Sequence, residues 1–120
     1  MFKKSILMLL LITASSFANC EKPMSQSEMN ECSSSKFDIA DKELNDIYKE
    51  LMSKLNDTEK NNLKKEQRKW IKYRNAEASR ELKELGLEGG SMASMMYGDS
   101  LTYSTKKRVE ELKALLAKHK

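Results

Sequence analysis

Glu66-Gln67-Arg68-Lys69-Trp70-Ile71-Lys72-Tyr73-Arg74-Asn75-Ala76-Glu77 lies near the middle of the chain and has the spacing of a helix. It carries the single tryptophan and interleaves aromatic with charged residues. Trp70, Tyr73, Arg74 and Glu77 follow at steps of three, one and three, which places them on one side of a helix. An indole beside a guanidinium and a carboxylate suits either the packed centre of a helical bundle or a recognition face.

Outward from this stretch the helical spacing continues. Leu63, Gln67, Trp70, Ile71, Arg74, Ala78, Leu82 and Leu85 form one inner side, and Gly86 is a C-cap. Lys60, Lys64, Lys65, Glu66, Lys69, Lys72 and Arg80 form a solvated face. Upstream, Asn56-Asp57-Thr58-Glu59 supplies a turn, with Asp57 or Thr58 as N-cap and Glu59 suited to the positive helix end. A first amphipathic helix is expected from about residue 26 to 55. Ser25-Gln26-Ser27-Glu28 is its capping box, and Met29, Cys32, Phe37, Ala40, Leu44, Ile47, Tyr48, Leu51 and Leu55 are its apolar positions. Ser33-Ser34-Ser35 is a weak turn in this pattern, but no Gly or Pro interrupts it. Downstream, Gly86-Leu87-Glu88-Gly89-Gly90-Ser91 is a connector that lacks the spacing and trailing lysine of a phosphate cradle. Ser91 is the expected cap of a third helix with Met92, Met95, Met96, Leu101, Val109, Leu112, Leu115 and Leu116 as apolar positions. No strand-like alternation occurs. The expected fold is all-α, an antiparallel three-helix bundle of long amphipathic helices with an N-terminal arm.

The arm follows a leader. Lys3 and Lys4 precede an apolar run from Ser5 to Ala14, and Ser16-Phe17-Ala18 has the small residues that signal peptidase reads, so cleavage is expected after Ala18. This divides the chain into a signal peptide, residues 1–18, and one helical domain, residues 19–120. The apolar run is shorter than the about 20 residues a membrane span needs. Lipidation at Cys20 is the competing reading, and Asn19 before it is a poor match to a lipidation signal. Loss of the leader removes two lysines and no acid, leaving 20 basic and 18 acidic residues and a net charge of +2. Basic and acidic residues are interspersed, which argues against nucleic acid as a partner. Cys20 and Cys32 are an even pair in an exported chain and read as one disulfide, stapling the arm to the first helix. A loop of that size is worth about 3 kcal/mol on the chain-entropy estimate.

Catalysis finds little support. The one histidine, His119, lies at the C-terminal end, and paired acids such as Glu43 with Asp46 or Glu110 with Glu111 sit among lysines. No metal site, cofactor or enzymatic activity is expected, and the mature chain is not expected to insert in a membrane. Protein binding fits better, because Trp and Tyr beside Arg are enriched at interface hot spots and methionines make adaptable apolar surfaces.

Met29-Asn30-Glu31-Cys32, Ala40-Asp41-Lys42-Glu43-Leu44-Asn45 with Tyr48 and Leu51, and Gln67 through Glu77 together resemble the LprI-type lysozyme-inhibitor domain family. Glu88-Gly89-Gly90-Ser91, Tyr97 and Leu101 continue the likeness, which runs from Cys20 to about Leu115. The family usually carries a second cysteine pair, and here those positions correspond to Ala78 and Ser100. The resemblance therefore implies that these two face each other across the second and third helices. It also implies an exported helical domain that in some members inhibits lysozyme, a basic, cleft-bearing hydrolase. Glu28, Glu31, Asp38 and Asp41 are the local acids available for such a partner. Trp70, Tyr73, Arg74 and Glu77, with Gly89 and Gly90, are the candidate partner-binding or bundle-anchoring residues, and the implied orientation of Ala78 favours Trp70 and Arg74 as anchors. A structural or envelope-stress module and an immunity protein against a secreted toxin are the alternative readings.

Overall fold

A computed structural model describes residues 20–22 and 24–119; the expected leader and cleavage after Ala18 lie outside them. Three helices account for the domain: α1 (Gln26–Met52), α2 (Asp57–Glu84) and α3 (Ala93–Lys118), with no strand among the described residues. They run up, down and up, so α1 and α3 are parallel. α3 shares the most extensive interface with α1 and also packs on α2. α1 and α2 approach each other mainly through side chains.

The helix ends follow from local hydrogen bonding. Ser25 caps α1, its hydroxyl oxygen accepting from the Glu28 amide at 3.2 Å. The α1 backbone stops at Met52 rather than near 55, because Lys54 and Leu55 switch to the carbonyls three residues back. Leu55 still packs against the core, so apolar spacing outlasts the helix. The α2 cap is Asn56, not Asp57 or Thr58. Its side chain accepts from the Glu59 amide at 2.9 Å, while the Glu59 carboxylate accepts from the Asn56 amide at 3.0 Å. Gly86, at φ +67°, ends α2 with its amide donating to the Lys83 carbonyl and Leu87 donating to Leu82, a Schellman arrangement. Ser91 does not cap α3. Met92 occupies that position without a side-chain bond, and the Ser91 carbonyl accepts from Asn30 Nδ2 at 3.3 Å.

The bundle has two halves of different character. Leu44, Leu51, Leu63, Val109, Leu112 and Leu116 are buried together beside the α1–α2 turn. Each such side chain contributes roughly 1.5–3 kcal/mol of burial. The other half is lined by small residues: Ser33 and Ala40 on α1, Ala78 on α2, and Gly98, Ser100, Thr102 and Thr105 on α3. Gly98 lets α3 approach α1 so closely that a Cβ there would lie 2.5 Å from Ser33 Oγ. The Ser33 hydroxyl lies 2.8 Å from both the Met95 carbonyl and Asp99 Oδ1, each able to accept its proton. That cross-helix satisfaction is why the triple-serine segment remains helical instead of breaking α1. The arm is held by the Cys20–Cys32 disulfide.

Candidate functional site

At the junction of the two halves lies a layer of aromatic rings and guanidinium groups drawn from all three helices. The Arg74 guanidinium carbon sits 5.1 Å from the Trp70 ring centre and 5.3 Å from that of Phe37. Arg108 of α3 approaches Trp70 from its own side at 6.0 Å. Both arginine side chains are only 11% exposed. Burying guanidinium groups requires compensation. Arg108 Nε donates to Gln67 Oε1 at 2.9 Å, and its Nη1 donates to Glu111 at 2.9 Å. Arg74 donates to Asn75 at 3.1 Å and to Thr105 at 3.4 Å, with the Asp41 carboxylate at 3.9 Å. Burial pushes the Arg74 guanidinium below its usual range, and Asp41 opposes the shift.

These contacts fix the antiparallel register of α2 on α3: Gln67 with Arg108, then Arg74 with Thr105. One further turn brings Ala78 level with the turn that holds Ser100. Ala78 is fully buried and Ser100 nearly so.

Trp70 also lines a groove of about 220 Å³ between α2 and α3, together with Tyr73, Glu77, Glu81, Tyr103, Ser104, Lys107 and Glu111. Tyr73 and Tyr103 are 60% and 69% exposed, which is unusual for rings of this size. Lys107 lies over the Tyr103 ring at 5.9 Å. Arg80 holds Glu77 through its guanidinium, and this hydrogen bonding keeps the Glu77 carboxyl below the usual carboxylate range. Glu111 is fixed from below by Arg108 and remains more than half exposed.

The candidate residues therefore divide. Trp70, Tyr73 and Glu77 line the α2–α3 groove, whereas Arg74 turns inward to the stacked layer. Trp70 belongs to both, with one edge in the core and another in the groove. Gly89 and Gly90 do not line the groove. They form the α2–α3 turn, where Gly89 at φ +72° permits the Gly90 amide to donate to the Leu87 carbonyl at 3.2 Å. Of the α1 acids, Glu28, Glu31 and Asp38 are exposed, while Asp41 turns towards Arg74. Tyr103, Glu81 and Glu111 complete the groove, and sequence spacing did not single them out as a group. Among the described residues no cluster of three potential metal ligands occurs, and no helix is long and apolar enough to cross a membrane.

The fold is that of a small, disulfide-stapled helical domain. The chain belongs to the LprI lysozyme inhibitor family, whose model matches residues 18–112. An uncharacterized protein of Rhizobium meliloti (strain 1021) is 34% identical over 111 residues, spanning 82% of this chain and 78% of that protein. No solved structure matches the chain.

Proposed function

We propose that this is an exported, non-catalytic domain that inhibits a lysozyme-class cell-wall hydrolase by seating the α2–α3 groove against the enzyme and obstructing its cleft. One observation carries the placement: two largely exposed tyrosines, Tyr73 and Tyr103, stand around Trp70 in a groove that also presents three carboxylates. Tyrosine and tryptophan supply large contact area at low conformational-entropy cost, which is why interfaces concentrate them.

Charge supports the same placement. A net charge of +2 gives the mature chain no global attraction for a basic enzyme. The groove lining instead sets Glu77, Glu81 and Glu111 beside Lys107, with Arg80 and Arg108 pairing with Glu77 and Glu111, and local charge of this kind governs encounter and register. The leader and the Cys20–Cys32 disulfide favour the periplasm or the exterior, where a cell-wall hydrolase acts.

The test is lysis of peptidoglycan by several lysozyme classes, with and without the mature protein in excess. Dose-dependent inhibition of at least one class is expected. Unchanged lysis with every class would remove this reading.

A further inference from the structure

We propose that a second cleft, between α1 and α2, binds a small organic carboxylate, its head among Lys64, Arg68 and Arg74 and its apolar body against Leu44 and Ile71. This cleft is about 370 Å³, within the range of small-molecule sites. It exists because α1 and α2 meet through side chains and leave a furrow between their backbones. Three cationic side chains line it against one carboxylate, Asp41.

The cations are unevenly compensated. Neither Lys64 nor Arg68 forms an ion pair among the described residues. Arg74 is mostly buried, yet its two hydrogen-bond acceptors are the neutral Asn75 and Thr105, and Asp41 stands off at 3.9 Å. Guanidinium groups stay protonated in proteins, so this is a standing positive charge in a poorly solvated wall. An incoming carboxylate supplies a closer counter-charge than Asp41, and arginine's planar fork suits that shape. The walls decide the rest of the ligand. Leu44 and Ile71 offer nothing to a bare inorganic anion, but they cover an apolar or aromatic body. The site lies on a different side of α2 from Tyr73 and Glu77 and does not depend on the hydrolase reading.

The experiment is an NMR titration of the mature protein with phenylacetate, phenylacetamide and inorganic phosphate. Phenylacetate is expected to shift the Leu44 and Ile71 methyl signals saturably. Phenylacetamide should bind roughly tenfold more weakly or worse, because it loses the charge-assisted bonds, and phosphate should also bind more weakly. The double variant Lys64→Gln with Arg68→Gln, both exposed positions, should weaken phenylacetate by roughly tenfold while its spectrum stays folded. Tyr73→Ala should leave it unchanged. Equal binding of phenylacetate and phenylacetamide, phosphate binding as tightly as phenylacetate, or shifts away from the cleft would each overturn the assignment.

Discussion

Replacing Gly98 by alanine tests the closest approach in the bundle, and its outcome depends on residue 33. In a free helix the change stabilises by about 1 kcal/mol, since glycine loses more backbone entropy. Here the new Cβ lies 2.5 Å from Ser33 Oγ, well inside van der Waals contact. Relief requires the helices to part or the Ser33 side chain to rotate. Parting costs about 1–3 kcal/mol, as overpacked cores do. Rotation forfeits the Ser33 hydrogen bonding to Met95 and Asp99, worth about 1 kcal/mol. Gly98→Ala is therefore expected to gain nothing or to destabilise by up to about 2 kcal/mol net. With Ser33→Ala in place, the next neighbours are the residue-33 Cβ and carbonyl carbon at 3.5 and 3.6 Å, ordinary contacts. The same Gly98→Ala change should then stabilise by up to about 1 kcal/mol. Urea unfolding followed by helical circular dichroism and Trp70 emission measures both steps, provided the slopes agree between variants. The resulting coupling of about 1–3 kcal/mol lies within the range for contacting residues. If Gly98→Ala has one sign and similar size in both backgrounds, Gly98 is not the spacer between α1 and α3.

Arg74→Lys removes the planar group stacked between Phe37 and Trp70; a loss of about 1–2 kcal/mol with a change in Trp70 emission is expected in denaturant unfolding. Ala78→Cys combined with Ser100→Cys should oxidise to a bridge in the folded protein, read as a mass decrease of two hydrogens; persistent free thiols would refute the α2–α3 register. Acid should destabilise the fold. Arg80 depresses the Glu77 carboxyl and Lys42 depresses that of Asp46, so the unfolded chain takes up protons first as pH falls. This stabilisation is complete above the ordinary carboxylate range and drains as pH falls below about 4.5, the unperturbed glutamate value. Melting temperatures across that range should fall less steeply for Glu77→Gln.

Periodicity made the three helices legible because apolar residues at steps of three and four survive whatever the partner helix is. The ends were harder. The reciprocal bonding of Asn56 with Glu59 sits one residue ahead of two equally suitable caps, Asp57 and Thr58, and only backbone direction chooses among them. Leu55 extended the apparent α1 because a turn residue buries its side chain as well as a helical one does. Ser33 to Ser35 looked like a weakness, yet small residues there admit Gly98, a contact between residues far apart in the chain. The site was half legible for the same reason. Trp70, Tyr73 and Glu77 announce a face through local spacing, whereas Tyr103 joins Tyr73 only across the α2–α3 register. Arg74 shares their helical side in sequence but turns inward, since Phe37 of α1 stacks on it.

The proposed function has the aromatic and acidic groove between α2 and α3 gripping the hydrolase. Its most direct test compares inhibition of a susceptible lysozyme by the mature protein, by Tyr73→Ala with Tyr103→Ala, and by Arg68→Gln as a control on the opposite cleft. Both tyrosines are largely exposed, so the double variant should keep its circular dichroism and melting temperature. Truncating two central aromatic contacts is expected to weaken inhibition by at least about a hundredfold, while Arg68→Gln leaves it intact. Full inhibition by the folded double-tyrosine variant would mean that the hydrolase is gripped elsewhere than in this groove.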